Sequence, residues 1–410
     1  MQPRPRTRGV SKRKGGMATQ KISQLYYITH VKNLPSILIN GVLSHEEVER
    51  RSIQYEPIYD REIVETRRRR TTPDGRSLWN FANLFFQPRN AMLYRVLRHR
   101  SVDEIAVLAV NASVLQRPDS LITLGNAASE ASAILPAREG KKELPQILKW
   151  INNEYWTEEM GLKRKMMAEC LVPAAVPSDL IQTIYVANHE TVESIRKTLS
   201  ALAAQIPEIV PEPYMFFEPV RRFPITPMLT VLEGDMFFSR MQTLTVSVNT
   251  VGVMGKGLAS RAKYQFPDVY VRYQDACRSK RLAMGKPYLY KRESSVEHQL
   301  ADDPSSLGNA NSGTWFLLFP TKRHWREQSD ITGIERGLAW LRDNYREEGI
   351  RSLAMPALGC GLGRLDWRDV GPLLCRYLSD FDVPVEIYLP AEKNVPGELL
   401  GPGFLLPGSS

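Results

Sequence analysis

Cysteine and histidine are both sparse in this chain of 410 residues, at four and six. Cys170, Cys277, Cys360 and Cys375 make no CxxC pair and the scattered histidines show no ligand spacing, so no metal site is expected. A reducing cytoplasm is the compartment such cysteine usage implies. No apolar run approaches the roughly 18 residues of a membrane helix, and the basic N-terminus lacks the apolar segment of a signal peptide, so no membrane partner is expected. The net charge of +9 is not spread over the chain either. Arg4, Arg6, Arg8, Lys12, Arg13 and Lys14 crowd into the first 16 residues without an acid, whereas residues 17–226 hold 26 basic and 24 acidic side chains and residues 227–410 hold 22 and 21. Polyanion binding must then come from local patches, with the tail as an electrostatic helper. Met17, after Gly15 and Gly16, is an alternative first residue.

At this length two domains with linkers are expected. The second half carries the sharper local signal. Residues 244–248 alternate as a strand does, Asn249, Gly252, Gly255 and Gly257 break the strand, and residues 258–266 resume at helical spacing. Glycines let the backbone approach a diphosphate while the free N–H groups of the helix start supply donors, so strand, glycine loop and helix make a phosphate cradle. It is not a Walker loop, since Leu258 stands where Lys would be needed. A lone loop of this kind is usually an ordinary tight turn. A second one, however, follows the strand-like residues 350–358: Gly359, Gly361 and Gly363 precede helical spacing over 366–378. Two such loops clamp one ligand at the carboxyl edge of a sheet. Between them an apolar run, residues 315–319, ends in Pro320-Thr-Lys-Arg-His-Trp325.

These blocks, with Glu233-Gly-Asp-Met-Phe237 and Leu358-Gly-Cys-Gly-Leu-Gly-Arg-Leu-Asp-Trp367, resemble a macrodomain, and among macrodomains the DarG type of DNA ADP-ribosyl hydrolase, over about residues 228–392. The resemblance implies that Asp235 accepts from the adenine amino group, that the 252–257 and 359–363 loops cradle diphosphate and distal ribose, that Asn249 contacts that ribose, and that Lys322 is the hydrolytic residue. Lys322 lies between apolar Phe319 and Trp325; desolvated, it would lose its proton and attack or polarise the opened ribose carbon, and otherwise it is a surface cation. Arg364 replaces a glycine of the pattern, so weaker binding or slower turnover is expected of the second loop.

The first half reads as a mixed α/β domain. A strand runs into Tyr26-Tyr-Ile-Thr-His30, a short helix with Asn33 as cap stops at Gly41, and residues 81–86 form a strand before a helix opened by Pro88. Further strands are expected near 104–110, 121–124, 168–172 and 181–186, with helices at 144–156 and 189–206. Glu169 interrupts an apolar strand whose neighbours on both faces are apolar, so it is either on an edge or buried with a partner or a task. His30 alone is more often packing than chemistry, and Arg89 alone could merely cap a turn. Together, Tyr27-Ile-Thr-His30, Leu84-Phe-Phe-Gln-Pro-Arg89 with Met92-Leu-Tyr94, and Ala168-Glu-Cys-Leu-Val172 resemble the DarT family of DNA ADP-ribosyltransferases over about residues 20–206. The resemblance implies Glu169 as the catalytic residue with Arg89 assisting, NAD as substrate held by His30, Arg89 and Tyr27, and a thymidine base of single-stranded DNA as acceptor. Arg67, Arg68, Arg69 and Arg70 form a charge run, most simply a solvated loop; with Arg95 and the aromatic Trp79 and Trp156 they are candidates to guide a DNA strand.

The expected architecture is therefore α/β with two domains: a disordered basic tail over 1–17, an ADP-ribosyltransferase-like mixed α/β domain over 18–206, a stiff proline-rich linker over 207–227, a macrodomain with a three-layer α/β/α mixed sheet over 228–392, and a disordered tail over 393–410. Residues 291–313 read as a mobile polar insertion, and 330–348 as a helix capped by Ser329. The expected function is a toxin and its antitoxin in one chain, the first domain modifying single-stranded DNA and the second acting on the ADP-ribosylated DNA, with contact between the two domains. An inactive transferase beside an ADP-ribose-binding macrodomain, or RNA or protein as acceptor, are the alternatives.

Overall fold

A computed structural model describes residues 22–59, 61–303, 307 and 313–408. The basic tail expected over residues 1–17 lies outside these. Two sheets organise the rest. Across the first, the order is Glu208–Pro211, Ile181–Val186, Ile105–Asn111, Gln24–His30, Phe81–Phe85, Glu169–Pro173, Leu121–Thr123 and Ile134–Pro136. Every neighbouring pair is antiparallel except the outermost, Glu208–Pro211 with Ile181–Val186. The Ile105–Asn111 strand is buried on both faces over its first six residues, the mark of a central strand covered on both sides.

The second sheet runs Arg221–Pro224, Leu229–Glu233, Val385–Tyr388, Leu353–Pro356, Thr243–Asn249, Trp315–Lys322, Tyr288–Tyr290. Its five inner strands are parallel and its two edges antiparallel. The helices Ile331–Asn344 and Trp367–Leu378 cover one face, with Leu338, Leu341, Val370 and Leu374 in the core, and Gly257–Gln265 and Pro267–Arg278 cover the other through Ala262, Val269 and Tyr273. Two mixed α/β domains result, the second with three layers, α/β/α, and with the carboxyl ends of its parallel strands at one edge, where such sheets place ligands.

Four expectations are corrected. Residues 207–227 connect the sheets but are not a free spacer: Glu208–Pro211 adds an edge strand to the first sheet and Arg221–Pro224 one to the second, because proline is tolerated at sheet edges where no N–H is demanded. The C-terminal segment from Val395 packs on the second domain, burying Val395, Leu399, Leu400 and Leu405, while Leu399 O accepts from Trp367 Nε1 at 3.0 Å; its apolar residues outweigh its proline and glycine content. The Ile331–Asn344 helix is capped by the Asp330 side chain, not by Ser329, and Asn33 donates to Glu56 O at 2.9 Å instead of capping.

The insertion over 291–313 is a further correction. Its residues 304–306 and 308–312 lie outside those described, but residues 296–303 dock against the first domain. Arg95 pairs with Asp302 at 2.7 Å, Arg98 with Glu297 at 3.4 Å, Trp156 Nε1 donates to Leu300 O at 3.0 Å, and Lys163 Nζ donates to Ala301 O at 2.9 Å. Arg95 and Trp156, 1% and 2% exposed, are consumed by this seam and have no surface to offer a DNA strand. One apolar cluster runs from Leu93, Tyr94 and Trp156 through Phe216 to Phe237, Phe238 and Phe266, so the domains share a core and do not merely touch.

Two candidate active sites

Glu169 opens its strand opposite Phe85 and is completely buried. Its Oε1 accepts from Ala127 N at 2.8 Å and Arg67 Nη1 at 3.3 Å, and its Oε2 from Arg67 Nη2 at 3.0 Å. Its own backbone N–H donates to Thr123 Oγ1 at 2.9 Å, whose hydroxyl donates on to Gly125 O at 2.6 Å. The carboxylate is thus fixed at both ends, with a two-toothed guanidinium for charge balance. Arg67 is the residue that sequence reasoning misplaced. It sits in the Arg61–Arg69 helix, not in a loop, and turns inward, as does Arg70, which donates to Ser132 O at 2.8 Å; Arg68 and Arg69 remain exposed. The available signal was the requirement that a carboxylate buried in a strand find a cation.

Beside Arg67 stands an aromatic group. The His45 ring stacks on Trp79 at 4.1 Å and its Nε2 lies 2.8 Å from the Tyr59 hydroxyl. Burial, reinforced by Arg67, pushes the His45 imidazole down to about 4, so it is neutral and shares a hydrogen bond with the Tyr59 hydroxyl. Trp79 is 8% exposed and donates to Glu49, which removes it as a stacking surface for a base. Tyr27 and His30 share the Gln24–His30 strand. Burial pushes the Tyr27 phenol up to about 12, Tyr55 adding to this and Arg67 opposing it. His30 is buried; its Nδ1 accepts from Lys32 N at 3.1 Å, while Nε2 has no hydrogen-bond partner and is 3.8 Å from Glu104. Burial lowers its pKa against the pull of Glu104, leaving a neutral ring with Nε2–H as a free donor.

Arg89 does not join Glu169. Its Nε donates to Tyr214 O at 3.0 Å, its guanidinium lies 4.2, 4.7 and 4.5 Å from the Tyr214, Phe217 and Phe238 rings, and its Nη2 stands 3.6 Å from Asp235 Oδ2 across the seam. Asp235 in turn accepts from Arg261 Nη1 at 2.8 Å on both oxygens and from Phe237 N at 3.2 Å. Burial alone would raise the Asp235 pKa, but Arg261 and Arg89 outweigh it and hold the carboxyl below its usual range. The buried Nη2 atoms of Arg89 and Arg261 have no hydrogen-bond partner.

Around the second sheet's carboxyl edge, Gly252 and Gly255 lie in the turn before the Gly257–Gln265 helix, and Gly359, Gly361 and Gly363 follow the Leu353–Pro356 strand. Gly257 is left-handed at φ 60°, and a Cβ there would stand 3.2 Å from Leu362 Cδ1, so the two loops meet. A Cβ on Gly363 would come within 2.2 Å of Ser329 Oγ. The Asn249 side chain is used by its own loop, donating to Val253 O at 2.6 Å and accepting from Val251 N and the Tyr273 hydroxyl at 3.0 and 2.9 Å; it shapes the cradle. Lys322 ends the Trp315–Lys322 strand level with Asn249, just past a register shift, and its Nζ donates to Glu327 O at 3.0 Å. Burial and then Arg364 lower its pKa, with Glu327 opposing. Arg364 is itself left-handed at φ 64°, a backbone state costing a non-glycine residue roughly 1–2 kcal/mol. Among the described residues no group of three or more His, Cys, Asp or Glu could hold a metal ion.

Residues 26–217 match the family model for ssDNA thymidine ADP-ribosyltransferase, DarT, and residues 311–374 that for the macro domain. Over 387 residues the chain is 56% identical to a DNA ADP-ribosyl transferase-DNA ADP-ribosyl glycohydrolase fusion protein of Thermosipho africanus, covering 94% of this chain and 99% of that one. The structure of Thermosipho africanus DarTG in complex with ADP-ribose matches at TM-score 0.87 and 54% identity, covering 94% of this chain and 100% of its own. A DNA ADP-ribosyl glycohydrolase of Mycobacterium tuberculosis is 36% identical over 165 residues, 40% of this chain and 43% of that protein.

Proposed function

This chain belongs to the family of DNA ADP-ribosyl transferase–DNA ADP-ribosyl glycohydrolase fusion proteins, and from that premise we propose that its first domain moves ADP-ribose from NAD to a thymidine base of single-stranded DNA at Glu169, while its macrodomain removes it at Lys322. The observation that carries the reading is the buried Glu169 carboxylate gripped by Arg67 and the Ala127 N–H. An intact pair of that kind is what a decayed transferase would have no reason to keep. In the transfer step the nicotinamide–ribose bond breaks with positive charge on the anomeric carbon. Glu169 takes the proton of the thymine N–H, the base nitrogen bonds to the anomeric carbon, and nicotinamide leaves with the bond's electron pair. His30, with its unpartnered Nε2–H, fits a ribose hydroxyl or the carboxamide. Arg89 and Tyr27 hold the dinucleotide only indirectly in this reading, since Arg89's partners are on the seam.

In the second step the unprotonated Lys322 amine attacks the anomeric carbon. The bond to thymine breaks, the base leaves with a proton, and water then releases ADP-ribose. Asp235 faces the adenine side of this pocket and the two glycine loops its diphosphate. Because Arg364 depresses the Lys322 pKa, removing its charge makes the ammonium easier to keep. Arg364→Gly is therefore expected to move the ascending limb of the hydrolysis pH profile to higher pH; an unmoved limb would separate Arg364 from Lys322. The proposed compartment is the cytoplasm, where NAD is available; the four cysteines are unpaired and no described helix is long and apolar enough to cross a membrane.

The test is nicotinamide release from NAD by the full chain, on adding single strands with and without thymidine. Release only with thymidine supports the reading; release with RNA or protein alone overturns the acceptor. The same assay separates the arginines. Arg67→Ala should lower kcat by about 10²-fold or more through its contact with Glu169, whereas exposed Arg69→Ala should raise the KM for DNA and flatten its salt dependence with kcat unchanged.

A further inference from the structure

Four exposed apolar side chains stand on the three loops around Lys322: Val251 at 49%, Val253 at 40%, Trp325 at 48% and Leu362 at 58% exposure. Cations are interleaved with them, since Lys256, Arg323, Arg326 and Arg364 are also exposed. The loops form one continuous rim. Thr250 donates to Arg323 O through N and Oγ1 at 3.1 and 3.0 Å, Leu362 packs over Gly257, and Ser329 N donates to Gly363 O at 3.0 Å. Within the rim the Arg326 guanidinium lies 4.6 Å from the Trp325 ring centroid, and the His324 ring lies 5.3 Å from that centroid. The rim's acids are Glu327, whose Oε2 accepts from His324 N at 3.1 Å, and Glu392, near Gly361.

In the proposed site the two glycine loops cradle ADP-ribose, which leaves the exposed Trp325 face and Arg364 side chain without a part in it. A half-exposed tryptophan backed by a guanidinium, with more cations spaced along the rim, is the arrangement that holds single-stranded nucleic acid: a base stacks on the ring and phosphates pair with the arginines. Arg364 strengthens the case, because a left-handed position where glycine would be unstrained is retained by a side chain that projects outward beside the reacting lysine.

We propose that Trp325, Arg326 and Arg364 form a landing surface for the DNA strand that flanks the modified thymidine, so that the hydrolase site engages the oligonucleotide and not the ADP-ribosyl group alone. Trp325 stacks a neighbouring base; Arg326 and Arg364 take the adjoining phosphates. This rests on the reading of Lys322 as the hydrolytic residue.

The experiment uses the full chain carrying Glu169→Gln, which cannot add ADP-ribose, and two substrates: an ADP-ribosylated single-stranded oligonucleotide and ADP-ribosylated thymidine nucleoside. Rates are taken on the alkaline plateau, where Lys322 is unprotonated whatever stands at position 364. Trp325→Ala should raise the KM for the oligonucleotide about tenfold, as loss of one stacked base does, and leave kcat, the nucleoside KM and the affinity for free ADP-ribose where they were; Arg364→Gly should raise the ratio of oligonucleotide KM to nucleoside KM by a similar factor. Arg326→Ala should do the same more weakly and reduce the slope of affinity against salt by about one. Equal losses on nucleoside and oligonucleotide, or no loss on either, would overturn the landing surface. Failure of the Glu169→Gln parent to release ADP-ribose from either substrate would instead overturn the hydrolase reading itself. A thermal unfolding midpoint that is unchanged in Trp325→Ala and Arg326→Ala, and not lowered in Arg364→Gly, where glycine relieves the left-handed backbone, excludes misfolding as the cause.

Discussion

Glu169→Gln is expected to lower ADP-ribosylation of a single-stranded oligonucleotide by about 10³-fold, the middle of the range for losing a positioned proton acceptor. The substitution is chosen because glutamine has the same outline and can still accept from the Ala127 N–H, which lies 2.8 Å from the present carboxylate. In the proposed mechanism, what it removes is the negative charge that faces the developing cation at the anomeric carbon and the base that takes the thymine proton. Arg67 then loses its anionic partner. Removing one member of a fully buried pair costs about 3–5 kcal/mol, but the Arg67 side chain is 15% exposed and water reaches it, so a stability loss of roughly 1–3 kcal/mol is the better expectation. The chain stays folded, and its hydrolase activity, which stands on the other sheet, is retained. Measured rates of oligonucleotide modification and of release from a modified oligonucleotide check both halves at once; loss of both would point to unfolding, and retention of transfer would remove Glu169 from the chemistry.

Lys322→Ala has the largest expected effect in cells. With both activities on one chain their ratio is one to one at every expression level, so the modified fraction of DNA is set by the ratio of the two rates. Loss of the Lys322 amine should slow release by at least about 10²-fold and drive DNA toward the modified state. Cells making Lys322→Ala protein should therefore stop growing at expression levels that wild type tolerates, and Glu169→Gln in the same chain should restore growth. The fold is not at risk, because Lys322 Nζ makes only a hydrogen bond to the Glu327 carbonyl on a loop at the sheet edge. Equal growth of single and double variants would show that the hydrolase does not counter the transferase.

What was legible in the sequence was local. The glycine loops, the strand that carries Glu169, the Gly41 helix stop and the two resemblances all depend on residues a few positions apart. What was not legible depends on distant pairs. Arg67 and Glu169 are 102 residues apart, and a run of four arginines looks the same whether one member turns inward or none does. Arg95 and Asp302 are 207 apart, so a cationic helix face and a polar insertion gave no sign that each is the other's partner. Asp235 was read as an adenine contact alone, and its second neighbour, Arg89, comes from the other domain. Asn249 was read as a ribose contact, and that Val251, Val253 and Tyr273 use up its amide depends on packing that spacing does not reveal. The Pro207–Pro227 composition read as a stiff linker and concealed that both its ends join sheets.

The most direct measurement is the mass of one thymidine-containing single-stranded oligonucleotide through two incubations, first with NAD and Lys322→Ala protein, then, after removal of NAD, with Glu169→Gln protein. The account predicts a gain of one ADP-ribosyl group in the first and its loss in the second. An oligonucleotide that never gains the group, or that keeps it through the second incubation, would contradict the claim that the two sites add and remove the same modification.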